Sequence, residues 1–154
     1  MDIGTLDSGP IWLTLQLASV TVIILLAIGT PMAWWLAHTR SKMRVGIEAL
    51  VALPLVLPPT VLGFYLLILL GPNGWIGGPV KALTGSPLSF TFTGLVFAST
   101  LYSLPFVVQP LQSNFESIGS TPMETAASLG ASRWDAFFSV ILPLSRRGYL
   151  TATV

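Results

Sequence analysis

The sequence TPMETAASLGASRWDAFFSVILP occupies residues 121–143 and contains the clearest helix signals in the chain. Thr121 suits a helix N-cap, and Pro122 suits the first helical position. Glu124 follows three residues after that cap, which is the spacing of a capping box. These residues predict that a short helix begins at Thr121.

The same stretch contains a stop signal and a second start. Gly130 stands where a left-handed C-cap ends the first helix. Ser132 then offers a second N-cap, with Asp135 three residues beyond it. The stretch therefore predicts a hairpin of two short helices joined by a sharp glycine turn, and its role depends on what surrounds it.

Composition places this hairpin in a membrane protein. Of the 154 residues, 53% are hydrophobic and only 8% are charged, against about 25% charged in a soluble domain. This balance excludes a soluble globular protein and a nucleic-acid binder, which needs clustered Lys and Arg. With no cysteine and one histidine, His38, the chain offers no disulfide, thiolate or multi-histidine metal site. We expect no catalytic residue, no bound metal and no cofactor.

Long apolar runs predict the membrane-spanning helices. Residues 11–37 form an uncharged apolar run of 27 residues, and about 20 suffice to span the hydrocarbon core. Further runs cover about 45–70, where the prolines predict one bent helix, and about 92–112. A fourth helix starts near residue 148 and is cut short. The prediction is an all-α polytopic membrane protein, one transmembrane domain over 1–154, incomplete at its C-terminus.

The positions of the cations predict the orientation. One side holds six of the seven Lys and Arg residues: Arg40, Lys42, Arg44, Arg133, Arg146 and Arg147. Lys81 alone lies in the 71–90 loop. The positive-inside rule then places the N-terminus outside and residues 38–44 and 113–147 in the cytoplasm. The hairpin at 121–143 is therefore predicted to be cytoplasmic.

The spacing inside the hairpin resembles the EAA motif of ABC importer permeases. That pattern reads Glu-Ala-Ala, three residues, Gly, nine residues, Ile-x-Leu-Pro, and the matching positions are Glu124-Thr125-Ala126, Gly130 and Val140-Ile141-Leu142-Pro143. Thr125 and Val140 depart from it by small changes of shape. The resemblance implies the type I (MetI-like) permease helix bundle and a coupling hairpin that docks onto a separate ATP-binding cassette subunit.

The resemblance assigns the coupling role to six residues: Glu124, Thr125, Ala126, Gly130, Leu142 and Pro143. The small Ala126 and Ala127 would let a partner approach the helix closely, and Gly130 permits the reversal. Glu124 would hold its own helix start or pair with a cation on the partner. The alternative is a well-capped hairpin that packs only on its own bundle.

A second resemblance concerns the substrate. Residues 53–67, LPLVLPPTVLGFYLL, and residues 103–111, SLPFVVQPL, are similar to helices of molybdate ABC transporter permeases. This implies a permease that moves an oxyanion, molybdate, inward across a bacterial inner membrane, with sulfate, thiosulfate or tungstate as alternatives. It further implies a separate ATPase, an extracytoplasmic oxyanion-binding protein and a homodimer. The chain itself would not be an enzyme, and nucleic acid would not be a partner.

The predicted passage for the oxyanion has no fixed cation. No Lys, Arg or His lies in the middle of the predicted spans, so we expect a weakly binding passage. The candidate groups are hydroxyls and proline-freed backbone at Pro58, Pro59, Thr60, Ser99, Thr100 and Ser103. The alternative is that these hydroxyls bond within their own helices.

Two other function classes make different demands on the sequence. An intramembrane enzyme needs paired carboxylates, histidines or an activated nucleophile, and a secondary transporter needs an intramembrane Asp or Glu as its coupling site. Neither set is apparent within the predicted spans. The chain also contains no Gly-x4-Gly-Lys-Ser/Thr pattern, so it has no P-loop for ATP.

Overall fold

The computed structural model of the chain describes residues 8–153, with backbone only at Ser8 and Arg133. The short N-terminal segment, predicted to lie outside the membrane, falls largely beyond this range, as does Val154. All regular elements of the described residues are helical. They are α1 (Ser8–His38), α2 (Met43–Val56), α3 (Pro59–Leu70), α4 (Gly77–Thr84), α5 (Phe92–Ile118), α6 (Thr121–Ser128), α7 (Arg133–Ala136), a π-helical segment (Phe137–Ile141), α8 (Leu142–Leu144) and α9 (Arg146–Thr153).

Two described helices are long and apolar enough to cross a membrane. They cover Gly9–His38 and Phe92–Ile118. The pair α2 and α3 counts as a third candidate if its two helices form one broken span. The third predicted run is six residues longer than expected, since α5 continues from residue 112 to Ile118. Its two internal prolines, Pro105 and Pro110, do not end it.

The run predicted as one bent helix over 45–70 is divided into two helices. Leu57 and Pro58 separate α2 from α3. Pro58 is extended, with φ −56° and ψ 138°, and Pro59 occupies the start of α3. A proline disfavours helical backbone in the residue before it and is well suited to the first turn of a new helix. Two consecutive prolines therefore end one helix and begin the next, whereas Pro54 alone stays inside α2.

The described residues form two compact units. One contains residues 8–24 with Pro54–Tyr102, and the other contains Leu25–Leu53 with residues 103–153. The hairpin lies in the second unit, whose core contains residues from the second half of α1, from α2 at Val51, from the second half of α5 and from the π-helical segment. The buried core residues are Leu25, Ala33, Leu36, Val51, Val107, Val108, Leu111, Phe115 and Ile141.

Aromatic packing fixes the hairpin to this core. The ring of Trp34 in α1 makes edge contacts with Phe115 in α5 and Phe137 in the π-helical segment, each with ring centroids 5.2 Å apart. Phe115 is fully buried. The hairpin therefore rests on the same unit that supplies the second halves of the two long candidate spans.

Candidate coupling site

The first helix of the hairpin begins as predicted, but without the predicted capping box. The cap position is Ser120, not Thr121, and no side-chain cap hydrogen bond forms there. Ser120 has helical dihedral angles (φ −89°, ψ −18°), whereas a capping side chain requires an extended cap residue. The exposed carboxylate of Glu124 bonds to none of the described side chains, so it is free for a partner outside them.

The turn at Gly130 has the predicted left-handed conformation, with φ +87°. The Gly130 N–H donates to the Ala127 carbonyl and the Ala131 N–H to the Ala126 carbonyl, both at 3.0 Å. These two bonds form a Schellman motif, which satisfies carbonyls that the end of α6 would otherwise leave free. The turn is therefore defined by hydrogen bonds as well as by the glycine.

The second helix begins at the predicted cap and then changes from α-helical to π-helical hydrogen bonding. The Ser132 hydroxyl accepts a hydrogen bond from the Asp135 N–H at 3.2 Å. After one turn of α7 the chain becomes π-helical, and the Leu142 N–H donates to the Phe137 carbonyl, five residues back. Pro143 has no N–H to offer the Ser139 carbonyl, so the α-helical pattern cannot continue unbroken here. Single π-helical turns often occur at functional sites.

The hairpin has a packed face and an open face. Ala126, Ala136 and Ile141 are buried within the chain. Ala126 is only 8% exposed, so its own side chain offers a partner little surface, and its coupling role stays a prediction. Ala127, by contrast, is exposed.

The open face contains large apolar side chains as well as polar ones. Leu129 is 83% exposed, Trp134 75% and Phe138 59%. The rings of Trp134 and Phe138 are stacked, with centroids 6.4 Å apart and planes 21° apart. Exposed apolar side chains of this kind mark an interaction surface. Sequence reasoning attributed no role to these three residues, although their apolar character in a hairpin predicted to be cytoplasmic was a usable signal.

Of the other predicted coupling residues, Thr125 and Pro143 are exposed and Leu142 is half-buried. The Thr125 hydroxyl donates to the Thr121 carbonyl at 2.9 Å. Leu142 lines an apolar cavity of about 820 Å³. Side chains of α1, the hairpin and α9 form its walls: Leu26, Ala27, Thr30, Pro31, Trp34, Met123, Trp134, Phe137, Phe138, Leu142 and Tyr149.

A ring of polar side chains ties α2 to α5 in the same unit. The Arg44 guanidinium donates to Glu48 at 2.8 Å and to Glu116 at 2.5 Å. The Gln112 amide donates to the same two carboxylates, at 2.6 and 3.1 Å. The four-residue spacings within each helix could have indicated two of these contacts. The contacts between the helices were not predictable, since they join residues 64 and 72 positions apart.

The predicted passage residues lie on two helices. Pro58, Pro59 and Thr60 are exposed at the start of α3. Ser99, Thr100 and Ser103 are half-buried on α5. The Thr100 hydroxyl oxygen is buried without a hydrogen-bond partner among the described residues. Their role in a passage stays a prediction.

Comparison with known proteins identifies the family. Residues 27–154 match the family described as binding-protein-dependent transport system inner membrane component. The chain belongs to this family, and its all-helical fold with apolar candidate spans is that of the type I ABC importer permeases.

The chain is also similar to several permeases. It is 57% identical, over all 154 residues and 68% of the relative, to the molybdenum transport system permease protein ModB of Azotobacter vinelandii. It is 33% identical to the ModB protein of Escherichia coli over 92% of the chain and 62% of the relative. It is 35% identical to the chloroplastic sulfate permease 2 of Chlamydomonas reinhardtii, over 92% of the chain and 38% of the relative. The chain thus spans about two thirds or less of the length of these relatives.

Proposed function

We propose that this chain is the membrane-spanning permease subunit of an ATP-driven importer that moves molybdate into the cell. The observation that carries the proposal is the 57% identity, over the whole chain, to a permease whose name specifies molybdenum. Sulfate is the second candidate substrate, because a sulfate permease is 35% identical over 142 residues. Both ions are tetrahedral dianions, so one kind of passage suits either.

The passage offers weak, neutral contacts to this dianion. None of the seven Lys and Arg residues lies within residues 9–37, 59–70 or 92–118. The single histidine, His38, is the last residue of α1. A fixed charge inside the membrane is costly and binds an opposite charge tightly, and release on the far side would then be slow. Hydroxyl donors on α3 and α5 suit transient binding. The foremost is Thr100, whose buried oxygen has no hydrogen-bond partner among the residues that the structure describes. Tight recognition then belongs to an extracytoplasmic oxyanion-binding protein.

The open face of the hairpin provides the contact with an ATP-binding cassette subunit. Its apolar centre is formed by Leu129, Trp134 and Phe138. The same hairpin exposes the carboxylate of Glu124, which bonds to none of the described side chains. Aromatic side chains enclosed by polar groups are the usual energetic centre of a protein interface. The Gly130 turn and the Leu142-Pro143 segment hold this face in position against the bundle.

The charge distribution supports a cytoplasmic position for that face. Six of the seven cations fall in the segments 38–44 and 113–147, and such segments face the cytoplasm. The N-terminus then lies outside. The complete importer is a permease homodimer with two ATPase subunits in the bacterial inner membrane.

Transport follows from movement of the docked hairpins. ATP closes the pair of ATPase subunits, the hairpins move with them, and the helix bundle opens outward to receive the oxyanion. Hydrolysis occurs in the separate subunit, and the permease itself performs no chemistry. A proton-driven transporter is disfavoured because Glu48 and Glu116 are both bonded to Arg44 and Gln112, so neither carboxylate is free to shuttle protons.

The docking face can be tested with two matched tryptophan variants. Trp134→Ser removes the centre of the face, and we expect roughly tenfold or greater loss of co-purification with the ATPase subunit. The control is Trp12→Ser, near the start of α1, which removes a tryptophan of similar exposure (68% against 75%). It should leave co-purification unchanged. Both variants should insert into the membrane normally. Undiminished ATPase association of Trp134→Ser would refute the docking assignment.

A further inference from the structure

The loop 71–91, which connects α3 to α5, exposes three large apolar side chains. Trp75 is 91% exposed, Leu83 87% and Phe90 90%. Among the 21 residues of this loop, Lys81 is the only charged one. Large apolar side chains with this exposure indicate a contact outside the chain.

The backbone of the loop is fixed to the end of α3. The Ile76 N–H donates to the Leu69 carbonyl and the Ser89 N–H to the Leu70 carbonyl, both at 3.2 Å. A Cβ atom at Gly74 would lie 2.2 Å from the Ile68 and Leu69 carbonyl oxygens, so only glycine allows this close approach. Trp75 is therefore held in one place, immediately beyond the last turn of α3.

Phe90 is fixed by the start of α5. Its φ of +60° is disfavoured for a residue with a side chain. The next residue, Thr91, caps α5 by accepting the Gly94 N–H at 3.1 Å. An apolar residue before a cap commonly packs on the fourth helical residue, but the Phe90 ring is turned outward and its own chain barely covers it. A strained backbone that holds an aromatic ring away from its own chain indicates an external partner.

We propose that loop 71–91 lies in the headgroup layer of the membrane, with Trp75, Leu83 and Phe90 inserted toward the acyl chains. Lys81 extends its ammonium toward the lipid phosphates, as lysines at membrane interfaces do. The proposed transport function assigns no role to these three residues. It depends only on α3 and α5 being parts of membrane spans.

The position of the loop favours lipid over a second protein. The loop ends at α5, a candidate span, so Phe90 lies at the membrane boundary. At its other end the loop follows α3, the apolar second half of the bent pair α2–α3. Trp75 follows the end of α3 by five residues and Phe90 precedes the start of α5 by two. Aromatic side chains at these depths form the interfacial belt of membrane proteins.

The absence of cysteine from the sequence makes spin labelling a clean test. Trp75→Cys, Leu83→Cys and Phe90→Cys would each be labelled in the whole chain, reconstituted in phosphatidylcholine vesicles. Collision rates with oxygen, which concentrates in lipid, and with a neutral nickel chelate, which stays in water, report the depth of each label. Ile68→Cys on α3 serves as the lipid reference, and Ser128→Cys on the hairpin as the water reference.

The proposal predicts that labels at all three positions resemble Ile68→Cys, with several-fold fewer nickel collisions than Ser128→Cys. Nickel collisions equal to those of Ser128→Cys would place the loop in water and overturn the proposal. Protection from both oxygen and nickel would show that protein covers the loop and would also overturn it. Because three exposed positions are tested separately, failure of one variant to fold leaves the other two.

Discussion

At the scale of single residues, Arg44 connects two helices that the sequence places far apart. Its Nε and Nη2 atoms donate to two different carboxylates, those of Glu48 and Glu116. A planar guanidinium suits this fork, whereas a lysine ammonium offers a single point charge. The three side chains are 33–40% exposed, so the ring contributes only modestly to stability.

Replacing Arg44 leaves the two carboxylates sharing one amide donor, Gln112. We expect Arg44→Gln to lower Tm by a small, measurable amount, because exposed ion pairs contribute little to stability, with Arg44→Lys recovering only part of the loss. Thermal unfolding in detergent would measure this. Arg40→Gln, at an exposed cation with no ion pair among the described side chains, is the control. Equal Tm values for the Arg44→Gln and Arg40→Gln variants would show that the ring adds no stability.

At the scale of elements, the hairpin shows which local signals are reliable. Gly130 and Ser132 behave as predicted because a left-handed turn and a side-chain cap depend on neighbouring residues only. The cap at Thr121 is wrong because Ser120 is helical and becomes the cap position itself. The π-helical segment was not predicted, although Pro143 was a signal that the α-helical hydrogen bonding would be interrupted there.

The glycine turn yields a prediction about local stability. A Cβ atom at Gly130 would meet nothing within 4 Å, so the cost of Gly130→Ala arises from its positive φ alone. That cost is about 1–2 kcal/mol, and asparagine, which tolerates this conformation better, should cost less. Hydrogen exchange over residues 121–136 should become about 5–30-fold faster in Gly130→Ala and change less in Gly130→Asn. Equal exchange in Gly130→Ala and the unaltered protein would contradict the strain argument.

At the scale of the whole molecule, composition and apolar runs were sufficient to predict a helical membrane protein, and the EAA spacing was sufficient to predict the family that the comparisons identify. The apolar cavity and the contacts of the Arg44 ring that join α2 to α5 were not predictable, because they depend on residues far apart in the sequence. The division of residues 45–70 was only half predicted. The prolines indicated a bend, but a continuous helix was expected and two helices are observed.

The central claim is that the complete importer containing this chain carries molybdate in preference to sulfate. The most direct measurement is uptake of radiolabelled molybdate by the host organism with the coding sequence deleted and then restored, with and without excess unlabelled sulfate. We predict that deletion abolishes high-affinity uptake, that restoration recovers it, and that sulfate leaves it nearly unchanged. Uptake that survives the deletion would contradict the assignment as a molybdate importer, and uptake that sulfate suppresses as strongly as molybdate does would contradict the preference.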